Sequence, residues 1–152
     1  MSLKLDDSIF SVKEPVDYNP KKLVIYSKPK VGKTEAIVQL PDTFTIDLER
    51  GTRFVKGAYI NVLMEAEKRE MSPLAVLHEL HALLKEKRPF KRISIDTVTV
   101  LEDISLPYAK SIYKKSPQGA NFALETVLHL PNGAGYMWTR EAFFKILKGF
   151  EE

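Results

Sequence analysis

Three short groups of residues in this chain have the types and spacing for phosphate chemistry. The first is Leu23-Val24-Ile25-Tyr26-Ser27-Lys28-Pro29-Lys30-Val31-Gly32-Lys33-Thr34. An apolar run, a short loop and a closing Gly-Lys-Thr before a helical run make the pattern of a phosphate-binding loop. In such a loop successive backbone N–H groups point into one concavity, and the following helix adds its positive N-terminal end. Lys33 would reach the β- and γ-phosphates, and the Thr34 hydroxyl would ligate Mg²⁺. The first loop position is usually Gly, because the chain turns sharply there and Gly tolerates unusual dihedrals; here it is Ser27.

The second group is Ile46-Asp47-Leu48-Glu49-Arg50-Gly51. It ends a β-type run in acidic residues. In open α/β sheets ligands sit beyond the carboxyl ends of the strands, so Glu49 is delivered to the same edge as the loop. A carboxylate there can orient and deprotonate a water for attack on a γ-phosphate. The competing reading pairs Glu49 with Arg50 or Arg53 on the surface. The third group is Arg92-Ile93-Ser94-Ile95-Asp96-Thr97-Val98-Thr99-Val100, an apolar strand interrupted by Asp96. Its carboxylate would hold Mg²⁺ through water, opposite Thr34; alternatively Asp96 caps the next helix. Thr97 either orients the water, senses the γ-phosphate, or is only a polar strand end.

The elements that must position these residues follow from periodicity. Residues 23–26 read as a buried strand and 32–40 as a helix closed by Pro41. Residues 43–49 read as a second strand, rich in β-branched and aromatic side chains. Tyr59 to Glu70 has helical spacing. Ser72-Pro73 is a helix start, opening 73–87 with Leu74, Leu77, Leu80, Leu83 and Leu84 along one side. Residues 101–115 form a helix with Pro107 inside. A short helix over 122–128, a flexible loop over 132–135 and a last helix over 140–149, capped by Thr139, complete the chain. Residues 1–20 are an extended lead-in, with Ile9–Val12 as a candidate edge strand, and 21–152 form one nucleotide-binding domain.

Composition limits the classes of function. The 152 residues suit one domain with its own core. A net charge of +3 permits nucleic acid as a partner without arguing for it. There is no cysteine, which excludes disulfides and thiolate metal sites and fits a reducing compartment. No apolar run is long enough to span a membrane. His78 and His81 share a helix face, a spacing more often structural than metal-binding. Two basic groups, Lys85–Arg92 and Lys110–Lys115 with Tyr108 and Tyr113, are solvated faces or, alternatively, contacts to single-stranded nucleic acid.

Taken together, residues 23–34, 46–51 and 93–99 resemble the RecA-like P-loop ATPases. Within them they are similar to the phage AAA-type ATPases related to single-strand annealing and recombination proteins. Leu130-Pro131-Asn132-Gly133-Ala134-Gly135-Tyr136-Met137-Trp138-Thr139-Arg140-Glu141 also looks like a segment of that group. The resemblance spans about residues 20–150. It implies a three-layer α/β fold, a mainly parallel sheet flanked by helices. It implies ATP as substrate with Mg²⁺, nucleotide contacts from Ser27, Lys28, Pro29, Lys30, Val31, Gly32, Lys33, Thr34 and Glu35, metal contacts from Thr34 and Asp96, and catalysis by Glu49 and Lys33. Single-stranded DNA and a second copy of the chain are the implied partners, and the cytoplasm of a phage-infected host the implied location. A RecA-like core continues with a further strand after the last helix, so the chain is expected to hold the front part of the core, with open sheet edges. Two other readings share the phosphate loop. One is a small-molecule or nucleotide kinase; the other is a nucleic-acid-binding or assembly module with a vestigial nucleotide site.

Overall fold

The computed structural model describes residues 22–87 and 90–151. A boundary between two compact units falls between Val31 and Gly32, so residues 22–31 are described by themselves. The candidate strand at Ile9–Val12 lies outside the described residues.

The larger unit is built on a three-stranded parallel sheet. Its central strand, β1 (Thr43–Asp47), is almost wholly buried. β2 (Ala58–Asn61) flanks one side of β1 and β3 (Arg92–Asp96) the other. The register brings the last residues of all three strands level: Asp47 lies opposite Asn61 on one side and opposite Asp96 on the other. Parallel strands need covered faces, and β1 meets that need with Ile46 and polar side chains that find partners inside the sheet. The hydroxyls of Thr45 and Ser94 are 2.8 Å apart across β1 and β3. Among the described residues β2 and β3 each pair on one side only.

Among the described residues five α-helices accompany the sheet: α1 (Lys33–Val38), α2 (Val62–Lys68), α3 (Pro73–Lys87), α4 (Val98–Lys114) and α5 (Ala134–Gly149). Ile46 and Leu48 are fully buried among Val62, Ala66, Val76, Leu77, Leu80, Leu84, Leu101 and Ile146. Burying one such aliphatic side chain is worth about 1.5–3 kcal/mol. A smaller cluster of Ala109, Val127 and Ala142, lined by Tyr113, Phe122 and Trp138, joins α4 to α5. This is the mainly parallel, helix-flanked α/β arrangement that the resemblance implies.

The structure corrects several element assignments. Residues 22–28 form no strand, and their apolar side chains are exposed: Val24 is 86% and Tyr26 99% accessible. A β-branched run becomes a buried strand only where it has a ladder partner and covered faces. The predicted helix over 59–70 begins as β2, and only Val62–Lys68 is helical. Asn61 makes the switch, because its side chain accepts from Met64 N at 2.8 Å and so caps α2.

The region 122–133 is neither an α-helix nor a flexible loop, and 134–135 already belong to α5. Short 3₁₀ turns occupy Val127–His129 and Pro131–Gly133. α5 starts at Ala134, ahead of the expected 140. Position 135 lies inside this helix and requires glycine, because a Cβ there would lie 2.1 Å from the Val127 carbonyl oxygen. Thr139 caps nothing; it is buried in α5 and donates to the Gly135 carbonyl at 3.0 Å. Pro107 lies within α4, which runs on to Lys114.

Candidate active site

The carboxyl ends of the strands gather the acidic groups. Asp47 ends β1 and is fully buried. Its Oδ2 accepts from the Thr52 hydroxyl at 2.5 Å, the Thr52 amide at 2.9 Å and the Asn61 side-chain amide at 3.0 Å. Its Oδ1 accepts from the Glu49 amide at 2.8 Å, an Asx-type turn that bends the chain out of the strand. Burial pushes the Asp47 carboxyl upward. The Thr52 hydroxyl and amide, the Glu49 amide and the Asn61 side chain outweigh that effect and hold it below the ordinary carboxylate value. Asp47 is therefore a fixed anion that shapes the segment 47–52. The strand pattern alone does not reveal this role; an Asp two residues before Glu49 and five before a Thr is the available signal.

That turn places Glu49 beyond the sheet edge, exposed to solvent. Its Oε1 accepts from the Thr97 hydroxyl at 2.9 Å. The anticipated surface pairing with Arg50 or Arg53 does not form. Arg50 has a left-handed φ of 66° and pairs instead with Glu67. On the neighbouring strand Asp96 is buried, and its Oδ2 accepts from the Thr34 hydroxyl at 2.5 Å. The Leu48 amide donates to the Asp96 carbonyl at 2.6 Å, which continues the β1–β3 pairing past Asp47. Gly51 completes the corner: a Cβ there would meet Thr34 Oγ1 at 3.6 Å and Asp96 Oδ2 at 4.0 Å. The structure thus brings Thr34 to Asp96, and Glu49 to Thr97, which follows Asp96 in sequence.

The remaining candidates are distributed as follows. Gly32 has φ +85°, a conformation that suits glycine, and leads into Lys33, which is half-buried and opens the six-residue α1. Glu35 is exposed and accepts from Gln39 at 3.3 Å. In the first unit, the Ser27 hydroxyl donates to the Lys28 carbonyl at 3.3 Å. Lys28, Pro29, Lys30 and Val31 are exposed, and Lys30 adopts a positive φ of 64°. Asp96 does not cap α4; Thr97 holds the cap position, and its side chain makes no capping hydrogen bond.

A hard divalent cation such as Mg²⁺ prefers oxygen ligands, and Thr34 and Asp96 converge two of them. The donor set fits that ion. The other polar groups singled out by sequence lie elsewhere. The His78 ring packs edge-on to Tyr108, and that of His81 edge-on to Phe150. Tyr113 packs against Phe122 and Trp138, as a boundary residue does. Lys91 pairs with Asp42 at 3.4 Å, and Arg92 donates to the Pro41 carbonyl at 2.8 Å. Among the described residues no helix is long and apolar enough to cross a membrane.

No curated protein and no solved structure matches the chain. A family model described as an AAA domain matches residues 19–152, nearly all of the sequence. Together with a parallel sheet whose strand ends gather Thr34, Asp96 and Glu49, this match shows that the chain belongs to the AAA domain family of P-loop ATPases, a membership that implies nucleotide binding and ATPase activity.

Proposed function

We propose that this domain binds Mg·ATP and hydrolyses it to ADP and phosphate, with Ser27–Glu35 as the phosphate loop and Glu49 as general base. The observation that carries this reading is the convergence at one sheet edge of Thr34 on Asp96 and of Thr97 on Glu49. The backbone N–H groups of the loop and the Lys33 ammonium neutralise phosphate oxygens as charge develops on them. Thr34 and Asp96 would hold Mg²⁺, which when bound draws charge from the β- and γ-phosphate oxygens. Glu49 stands at the solvent side of the edge, orients a water in line with the γ-phosphorus and accepts its proton as the P–O bond to the β-phosphate breaks.

The resemblance to phage AAA-type ATPases supports a role in DNA recombination or replication, with single-stranded DNA as partner. Among the described residues β2 and β3 each pair on one side only, which supports self-association. A titration with a fluorescent ATP analogue and Mg²⁺, run beside Lys33→Ala, tests the nucleotide site. Saturable binding by the wild type, weakened at least about tenfold in the variant, is expected from the loss of a charge-assisted contact. A folded wild type that binds no nucleotide refutes the proposal.

A further inference from the structure

We infer that Thr97 is the positioning residue for Glu49, and that its hydroxyl is committed to the base carboxylate rather than to the helix it precedes. The inference rests on the hydrolytic reading above and adds to it the group that aims the base. Thr97 occupies the N-cap of α4, a place where threonine ordinarily turns its hydroxyl onto the first free amides of the helix. Here it makes no such bond and donates instead to Glu49 Oε1 at 2.9 Å. The helix start thus forgoes a stabilising contact, and Glu49 gains an anchor.

The need for that anchor follows from the position of Glu49. It lies in the turn after β1, exposed, on a long side chain that would otherwise sample several rotamers. Its main chain is fixed from one side, since its amide donates to the buried Asp47. Its side chain is fixed from the other side by Thr97. Thr97 is itself placed by strand pairing, because Asp96 is in register with Asp47 and its carbonyl accepts from Leu48. With Oε1 occupied, Oε2 has no hydrogen-bond partner among the described residues and is the oxygen left to take a proton from water. A base held within a fraction of an ångström of its productive pose works far better than one averaged over rotamers.

The test uses the full chain with Thr97→Val, which keeps the β-branched shape and removes the hydroxyl, and Thr97→Ser, which keeps the hydroxyl. Both are made in the wild type and in Glu49→Gln. One readout is independent of turnover: the carboxyl-carbon NMR resonance of Glu49 in nucleotide-free protein, assigned by its loss in Glu49→Gln. It is expected to move in Thr97→Val and to return in Thr97→Ser. In steady-state hydrolysis, Thr97→Val is expected to lower kcat about ten- to a hundredfold, the size of one hydrogen bond to a charged group, while KM and the affinity for a fluorescent ATP analogue stay within about twofold. Thr97→Ser recovers most of kcat, and Thr97→Val adds no further loss in the Glu49→Gln background.

Wild-type turnover in Thr97→Val overturns the inference alone. So does an unmoved Glu49 resonance, or an equal loss of kcat in the Glu49→Gln background. A wild type that binds Mg·ATP without hydrolysing it overturns the hydrolytic reading and the inference together.

Discussion

Asp47 is sealed beneath the sheet edge with hydrogen-bond donors on both oxygens, whereas Glu49, two residues further on, faces solvent with one oxygen engaged among the described residues. Asp96 is intermediate, buried like Asp47 but answered, among the described residues, by a single hydroxyl, that of Thr34. The difference separates carboxylates that build the corner from those left able to bind or react. A buried carboxylate with all its acceptor sites filled cannot take on a new ligand without breaking its own network. One with a free oxygen can accept a proton or a cation. Of the two carboxylates in Ile46-Asp47-Leu48-Glu49, the buried, fully bonded Asp47 is the structural one, and the exposed Glu49 is the one proposed for chemistry.

The largest expected effect comes from breaking the structural carboxylate. Asp47→Ala strands the Thr52 amide and hydroxyl, the Asn61 side chain and the Glu49 amide. Several buried polar groups without partners should cost about 3–5 kcal/mol, much of the stability of a domain this size. Chemical denaturation of wild type and variant measures this; a loss below about 1 kcal/mol would place Asp47 outside the structural role.

The same residue gives a pH dependence of defined sign. The Asp47 carboxyl is held lower in the folded protein than its ordinary value near 3.8. Its contribution to stability is therefore complete above that value and is lost as pH falls through the lower, folded-state value. Unfolding midpoints measured from neutral to acid pH should decline at the acid end, and less steeply in Asp47→Asn. Parallel declines in the two proteins would assign the acid sensitivity to other groups.

The smallest effect is expected at the corner itself. Gly51→Ala puts a methyl at ordinary contact distance from Thr34 and Asp96 and imposes no positive φ. Stability should change by no more than about 0.5 kcal/mol, as for most substitutions away from the core. A large loss would show that the Thr34–Asp96 corner is packed as tightly as the Asp47 site.

What could be read from sequence divides along similar physical lines. β1, α3 and β3 as far as Asp96 were legible because their apolar patterns coincide with real burial: Ile46, Ile95 and the Leu77–Leu80–Leu84 side of α3 all face the core, whereas Val98–Val100, expected as the end of the third strand, open α4. Leu23–Tyr26 has an equally strand-like composition, but among the described residues it pairs with no strand. β2 was hidden within a helical spacing, because four residues ending in a capping asparagine leave little period to detect.

Glycine misled at the start of α5. Gly133 and Gly135 read as flexibility, whereas Gly135 is required by the approach of the Val127 carbonyl. In the candidate site, Glu49, Asp96 and Thr34 were legible from strand ends and motif spacing. The supporting roles of Asp47, Asn61 and Thr52 depend on cross-strand register and could not be read from spacing alone.

The division of labour between the carboxylates is tested most directly by ATP turnover in Glu49→Gln at saturating Mg·ATP, with the unfolding midpoint and nucleotide affinity measured on the same preparation. Removing a general base should lower kcat about 10²- to 10⁴-fold. Affinity and midpoint should remain at wild-type values, because Glu49 is exposed and its amide, not its side chain, supports the Asp47 network. Unchanged turnover would contradict the assignment of Glu49 as base, and a collapse in stability would show that it is a structural carboxylate like Asp47.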